Sequence, residues 1–264
     1  MDLKLEGQHA LVTGSTAGIG YAIAHALAAE GATVTINGRN EQNVGRALER
    51  LRADLPEASL RGVAADAATA DGCIKLTQSG PAIDILVNNM GIFDPKPFEQ
   101  IPDADWQRFF ETNVMSGVRL SRAVLPGMKQ RNRGRIVFIS SESGICPPAE
   151  MVHYGMTKSA QLSISRGLAE TCAGTGVTVN SVLPGPTLTE GAKDFLDKLA
   201  KEQGLSFDDT VKAFFADARP ISLLRRFIDP KEVAAMVAYV CSPLAAATNG
   251  AALRVDGGVV RSLV

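Results

Sequence analysis

The chain has little of what a metal centre or a disulfide scaffold needs. Its three histidines, His9, His25 and His153, stand far apart without ligand-spaced partners. Its four cysteines, Cys73, Cys146, Cys172 and Cys241, are equally scattered and read as buried, reduced thiols of a cytoplasmic protein. An excess of either charge is also missing. The net charge of −1 offers no electrostatic attraction to nucleic acid or an anionic membrane. No apolar run approaches the roughly 20 residues that span a bilayer. The stretch Met1 to Glu6 lacks the apolar core of a signal peptide. Repeats, low-complexity tracts and linkers are absent too. What is present is 264 residues with 45% apolar content, enough to bury one large α/β core.

The apolar runs alternate with helical patterns. His9 to Gly14 reads as a buried strand, and Ala32 to Ile36 as a second. Between them lie Gly14, Gly18 and Gly20, then a helix with Ile23, Ala24, Leu27 and Ala28 on one face. Such glycines permit a tight turn and bring backbone N–H groups close to a pyrophosphate at the helix N-terminus. The spacing is G-x-x-x-G-x-G. Further strands are expected at Leu60 to Ala65, Ile83 to Val87, Gly134 to Ile139, Val177 to Leu183 and Ala251 to Val255. A long helical stretch is expected from Trp106 to Val124, with Asn113 inside it. Strands alternating with helices imply a doubly wound, mostly parallel sheet with helices on both faces, in a single domain over 1–264. Residues 188–219 are helical and charged, with an aromatic and apolar face. They suit a lid over a binding cleft, or a segment packed onto the body.

Ligands of such sheets gather at the carboxyl ends of the strands. There stand Asp66, Asn88-Asn89-Met90-Gly91, Ser140-Ser141 and Pro184-Gly185. Tyr154 and Lys158 are four residues apart on a predicted helix, hence one turn apart on one face. An ammonium beside a phenol favours the phenolate and draws its pKa from about 10 towards neutrality. Tyr154 is therefore a candidate proton donor and acceptor with Lys158 as its tuner, and Ser141 could bring a hydroxyl to the same oxygen.

Taken together and in order, Thr13-Gly14-x-x-x-Gly18-Ile19-Gly20, Asp66, Asn88-Asn89-x-Gly91, Asn113, Ser141, Tyr154-x-x-x-Lys158, Asn180 and Pro184-Gly185 resemble the short-chain dehydrogenase/reductase (SDR) family, over residues 5–262. The resemblance implies a Rossmann-type fold and hydride transfer between a nicotinamide and a carbonyl or secondary alcohol. It implies Tyr154 as general acid/base, and Lys158 as the group that lowers its pKa and holds the nicotinamide ribose. Ser141 would position the substrate oxygen, and Asn113 would hold a water linking Lys158 to solvent. Cofactor contacts are implied at Gly14, Ser15, Thr16, Gly18, Ile19, Gly20, Arg39, Asp66, Ala67, Asn89, Gly91, Pro184, Gly185, Thr187 and Thr189, besides Tyr154 and Lys158. By the same alignment Gly38 takes the place where an acidic side chain would hold the ribose hydroxyls of NAD. Arg39 follows it, so NADP(H) is expected ahead of NAD(H). A homodimer or homotetramer acting on a small molecule is implied as well.

Some positions depart from the pattern. Met90 replaces a small residue, and Thr187 stands where Ile is common. Thr175 and Asn132 occupy the basic positions with which similar 3-oxoacyl-[acyl-carrier-protein] reductases dock their carrier. Glu142 reads as a solvated loop carboxylate, and Cys146 and His153 as pocket lining without a catalytic part. A silent dinucleotide-sensing protein is the alternative of a different class, and the complete set Asn113, Ser141, Tyr154 and Lys158 speaks against it.

Overall fold

The computed structural model describes residues 1–263. Seven strands form one parallel sheet: β1 (His9–Val12), β2 (Thr33–Gly38), β3 (Leu60–Ala64), β4 (Ile85–Asn88), β5 (Gly134–Ile139), β6 (Val177–Pro184) and β7 (Ala252–Val255). Their spatial order is β3-β2-β1-β4-β5-β6-β7. The order reverses between β1 and β4, which opens a crevice at the carboxyl ends of those two strands. The central strands are apolar on both faces because both are covered. Ala10 and Val12 of β1 join one core cluster while Leu11 joins the other. Val137 and Ile139 of β5 divide in the same way from Ile136 and Phe138.

Among the described residues there are nine α-helices: α1 (Gly18–Ala29), α2 (Glu41–Asp54), α3 (Ala70–Gln78), α4 (Asp103–Phe109), α5 (Ser116–Gln130), α6 (Val152–Thr171), α7 (Glu190–Gln203), α8 (Phe207–Asp217) and α9 (Pro230–Cys241). Residues of α1, α2 and α9 line one cluster. Those of α3, α5 and α6 line the other. No helix among the described residues is long and apolar enough to cross a membrane.

The helix expected from Trp106 to Val124 is not uniform. Between α4 and α5 the chain widens into a π-helical segment, Phe110–Met115, which contains Asn113. Such widened turns recur at functional sites because they re-aim backbone groups. The segment 188–219 is helical as expected, forming α7 and α8. Phe214 stacks on Phe227 with ring centroids 4.9 Å apart and Phe215 packs edge-on to Phe227 at 5.1 Å, whereas Phe195 is exposed, so only the α8 aromatics pack. Of the four cysteines three are buried, whereas Cys146 is exposed, contrary to the expectation of four buried thiols.

Candidate active site

The crevice begins at the glycine turn after β1. Gly14 and Gly18 have φ of +58° and +57°, in the left-handed region. A Cβ at Gly20 would lie 2.4 Å from both Asn89 Nδ2 and Gly14 O, so no other residue fits there. Asn89 Nδ2 donates to Thr13 O at 2.9 Å and to Gly14 O at 3.0 Å, which pins this turn to the end of β4. The N-cap of α1, Ala17, supplies no side-chain partner. Instead Gly18 N donates to Glu190 Oε2 from the start of α7 at 2.8 Å. Ile19 and Thr16 lie half-buried beside it.

At the other strand ends, Arg39 is exposed after β2 and Asp66 is exposed after β3, with Ala67 buried next to it. Gly91 lies opposite Lys158, where a Cβ would sit 3.4 Å from Nζ. After β6 come Pro184 and Gly185. Thr187 pairs with Ile228 in an isolated parallel bridge, and Thr189 caps α7 by accepting from Ala192 N.

Ser141 lies two residues after β5, and Tyr154 and Lys158 lie in the first two turns of α6. Lys158 Nζ stands 5.5 Å from the Tyr154 ring centroid and donates to Ile139 O at 2.9 Å. Phe93 meets the other side of the phenol edge-on at 6.4 Å. The side-chain amide of Asn113 is engaged at both ends: Oδ1 accepts from Ile92 N at 2.8 Å, and Nδ2 donates to Ile92 O and Thr157 Oγ1, each at 3.0 Å.

Matching of the short chain dehydrogenase family model over residues 8–200 decides the lineage. The chain belongs to the short-chain dehydrogenase family. It is 51% identical over its whole length to the uncharacterized oxidoreductase YvaG of Bacillus subtilis, itself covered completely. It is 33% identical to the 3-oxoacyl-[acyl-carrier-protein] reductase FabG of Vibrio cholerae, over 97% of this chain and 99% of that one. Among solved structures it is similar to the L-sorbose reductase of Gluconobacter frateurii complexed with NADPH and L-sorbose. There the TM-score is 0.94 at 31% identity, with both chains covered completely.

Several details of this SDR site differ from the sequence reading. Ser15 is fully buried; its Oγ donates to Val12 O at 2.7 Å and accepts from Asn37 N at 2.9 Å, so its hydroxyl is committed to the backbone rather than to a phosphate. Glu142 is not a solvated carboxylate: it is 6% exposed and accepts the Ser141 hydroxyl and, at 2.9 Å, Ser143 N. His153 turns away from the crevice, fully buried against Phe109 at 4.0 Å and Trp106 at 5.9 Å, with neither ring nitrogen hydrogen-bonded. Burial pushes its pKa down.

The electrostatics also differ. Burial pushes the Tyr154 phenol up, with the Glu142 carboxylate adding to the rise and Ser141 opposing it. Burial brings the Lys158 ammonium down to about 7, and Glu142 works against that fall. Lys158 is not among the groups that move the Tyr154 phenol, and desolvation sets the direction for both. The sequence reading also missed Gln161, which is 1% exposed. Its Nε2 donates to the main-chain oxygen of Asn113 at 2.6 Å, while its Oε1 accepts from Lys158 Nζ at 3.2 Å. The available signal was a polar residue three positions after Lys158 on the same helical face.

Proposed function

We propose that the protein is an NADP(H)-dependent reductase of ketones, which in reverse oxidises secondary alcohols. The observation that carries this reading is the gathering of Ser141, Tyr154 and Lys158 at the mouth of the crevice, with Lys158 5.5 Å from the phenol ring. The residues present fit a dinucleotide. The first turn of α1 has no side-chain cap of its own, and its Gly18 N–H already receives an anionic group, the Glu190 carboxylate. Backbone N–H groups there can take a pyrophosphate. A bound nicotinamide supplies or accepts the hydride.

Tyr154 gives its proton to the carbonyl oxygen as charge develops on it, and takes that proton back in oxidation. Ser141 holds the same oxygen by a hydrogen bond that strengthens with the charge. Lys158 holds the nicotinamide ribose and keeps positive charge near the phenol. Asn113 fixes the chain around Gly91 and Ile92, and Gln161 anchors Lys158 to the π-helical turn. Segment 188–219 covers the cleft.

The phosphate preference rests on Gly38 and Arg39. Gly38 carries no side chain, so no carboxylate stands there to repel a 2′-phosphate. Arg39, exposed beside it, offers a planar fork to a phosphate. The sorbose reductase structure, which holds NADPH, supports the same choice. Carrier-protein docking has less in its favour. Arg131 and Arg133 turn towards Asp84 at 3.5 and 3.0 Å, and Asn132 Oδ1 accepts from Gly176 N at 2.7 Å. A free small-molecule ketone is therefore the substrate class. The protein works in the cytoplasm as a homodimer or homotetramer, which light scattering would reject by reporting a monomeric mass. NADPH oxidation with a panel of ketones and hydroxyketones tests the activity. No turnover with any ketone, combined with tight dinucleotide binding, would return the reading to a sensing protein.

A further inference from the structure

Glu142 is a charged group of the site that the proposed chemistry does not use. A carboxylate at 6% exposure is costly unless its charge and lone pairs are met. Here they are met from two directions. One oxygen accepts the Ser141 hydroxyl and Ser143 N, both in its own turn. The other lies 3.7 Å from Arg219 Nε. The Arg219 side chain is only 13% exposed, and its Nη1 reaches Glu150 Oε1, just before α6, at 3.2 Å. Arg219 follows α8, with its main-chain N donating to Phe214 O at 3.1 Å. The cation that balances the carboxylate beside Ser141 thus comes from the far end of the segment covering the cleft.

A serine hydroxyl rotates about one bond, and whichever acceptor it finds sets the rotor. We propose that Glu142 is a positioning residue that holds the Ser141 hydroxyl in reserve, and that Arg219, by balancing the carboxylate when the 188–219 segment docks, lets that hydroxyl turn to the substrate oxygen. The inference rests on Ser141 and Tyr154 having the roles given above. Withdrawing the segment would leave Glu142 without its cation and Ser141 facing an uncompensated carboxylate. The other groups that feel this charge are Tyr154 and Lys158 on α6, and Glu150, which shares Arg219. Removing the charge relieves Tyr154 of a neighbour that disfavours the phenolate.

The test uses Glu142→Gln, Arg219→Ala, Arg219→Lys and the double variant Glu142→Gln/Arg219→Ala, on the ketone and alcohol that the panel identifies. Arg219→Ala is expected to lower kcat by about ten- to a hundredfold, the range for a charge-assisted hydrogen bond, with KM for NADPH nearly unchanged. Glu142→Gln, which leaves a neutral acceptor, should keep near-parent kcat, and the double variant should recover most of the Arg219→Ala loss because the unbalanced carboxylate is gone. Arg219→Lys should keep most of the activity. In Glu142→Gln the pH midpoint of alcohol oxidation should move down. Proteolysis within 188–219 should be faster in Glu142→Gln and Arg219→Ala than in the parent. A parent-like kcat in Arg219→Ala, a double variant no better than Arg219→Ala, an unmoved pH midpoint or an unchanged cleavage rate would overturn the proposal. If Arg219→Ala does not fold, Arg219→Gln takes its place. Tyr154→Phe, run alongside, separates the two readings: parent-like turnover there removes the assigned chemistry, while the proteolysis arm still decides the Glu142–Arg219 tie.

Discussion

Replacing Gln161 by Leu removes two buried hydrogen bonds at nearly constant volume. One is the 2.6 Å bond to the Asn113 carbonyl, and the other the 3.2 Å bond from Lys158. The carbonyl would be left without that partner, which costs about 1–3 kcal/mol. Lys158 would keep Ile139 O at 2.9 Å but lose a second acceptor, a bond to a charged group worth about 1.5–3 kcal/mol. Burial of the leucine side chain returns about 1.5–3 kcal/mol. A net loss of about 1–3 kcal/mol is expected in urea unfolding. Turnover should fall further than stability alone implies, since Lys158 would no longer be tied to the π-helical turn. A loss of 1.5–3 kcal/mol from the transition state corresponds to about ten- to a hundredfold in kcat/KM. Unfolding midpoints and steady-state rates on the same preparations read both effects. Stability within about 0.5 kcal/mol of the parent, together with parent-like kcat/KM, would refute the role given to Gln161.

The other expectations concern charge. Arg39→Ala should weaken NADPH binding by roughly ten- to a hundredfold and leave NADH nearly unchanged, by fluorescence titration at matched salt. Equal affinities of the parent for the two cofactors would reduce Arg39 to a surface charge. Glu190→Gln should tighten NADPH binding about two- to fivefold, because its carboxylate holds the Gly18 N–H where an anion would be received; weaker binding would reverse that assignment. His153 has its folded pKa lowered by burial, so the unfolded chain takes up its proton first. Thermal stability should accordingly be full above the ordinary histidine pKa of about 6.5 and decline as pH falls below it. In His153→Leu that decline should be shallower, and an identical slope would contradict it.

The fold was largely legible because both of its signals are local. Short apolar runs at strand spacing and the glycine turn before α1 depend on neighbours in sequence. Tyr154 and Lys158 were legible for the same reason, lying one helical turn apart. What escaped depends on contacts between distant segments. Ser15 was placed among the implied cofactor contacts, but its oxygen accepts from the main chain of Asn37, 22 residues on. Glu142 looked solvated because its cation, Arg219, arrives from beyond α8. Gln161 acquires a role only because the chain widens at 110–115 and aims the Asn113 carbonyl towards α6. The direction of the Tyr154 shift was misread because helical spacing carries no information about burial.

The claim that matters most is that Tyr154 moves the proton. It is tested most directly by Tyr154→Phe, which keeps the ring and the Phe93 contact and deletes only the hydroxyl. Turnover of the identified ketone with NADPH should fall by at least about a hundredfold, the range for one positioned acid, while the NADPH dissociation constant stays within a few-fold of the parent. Near-parent turnover with intact cofactor binding would contradict the mechanism.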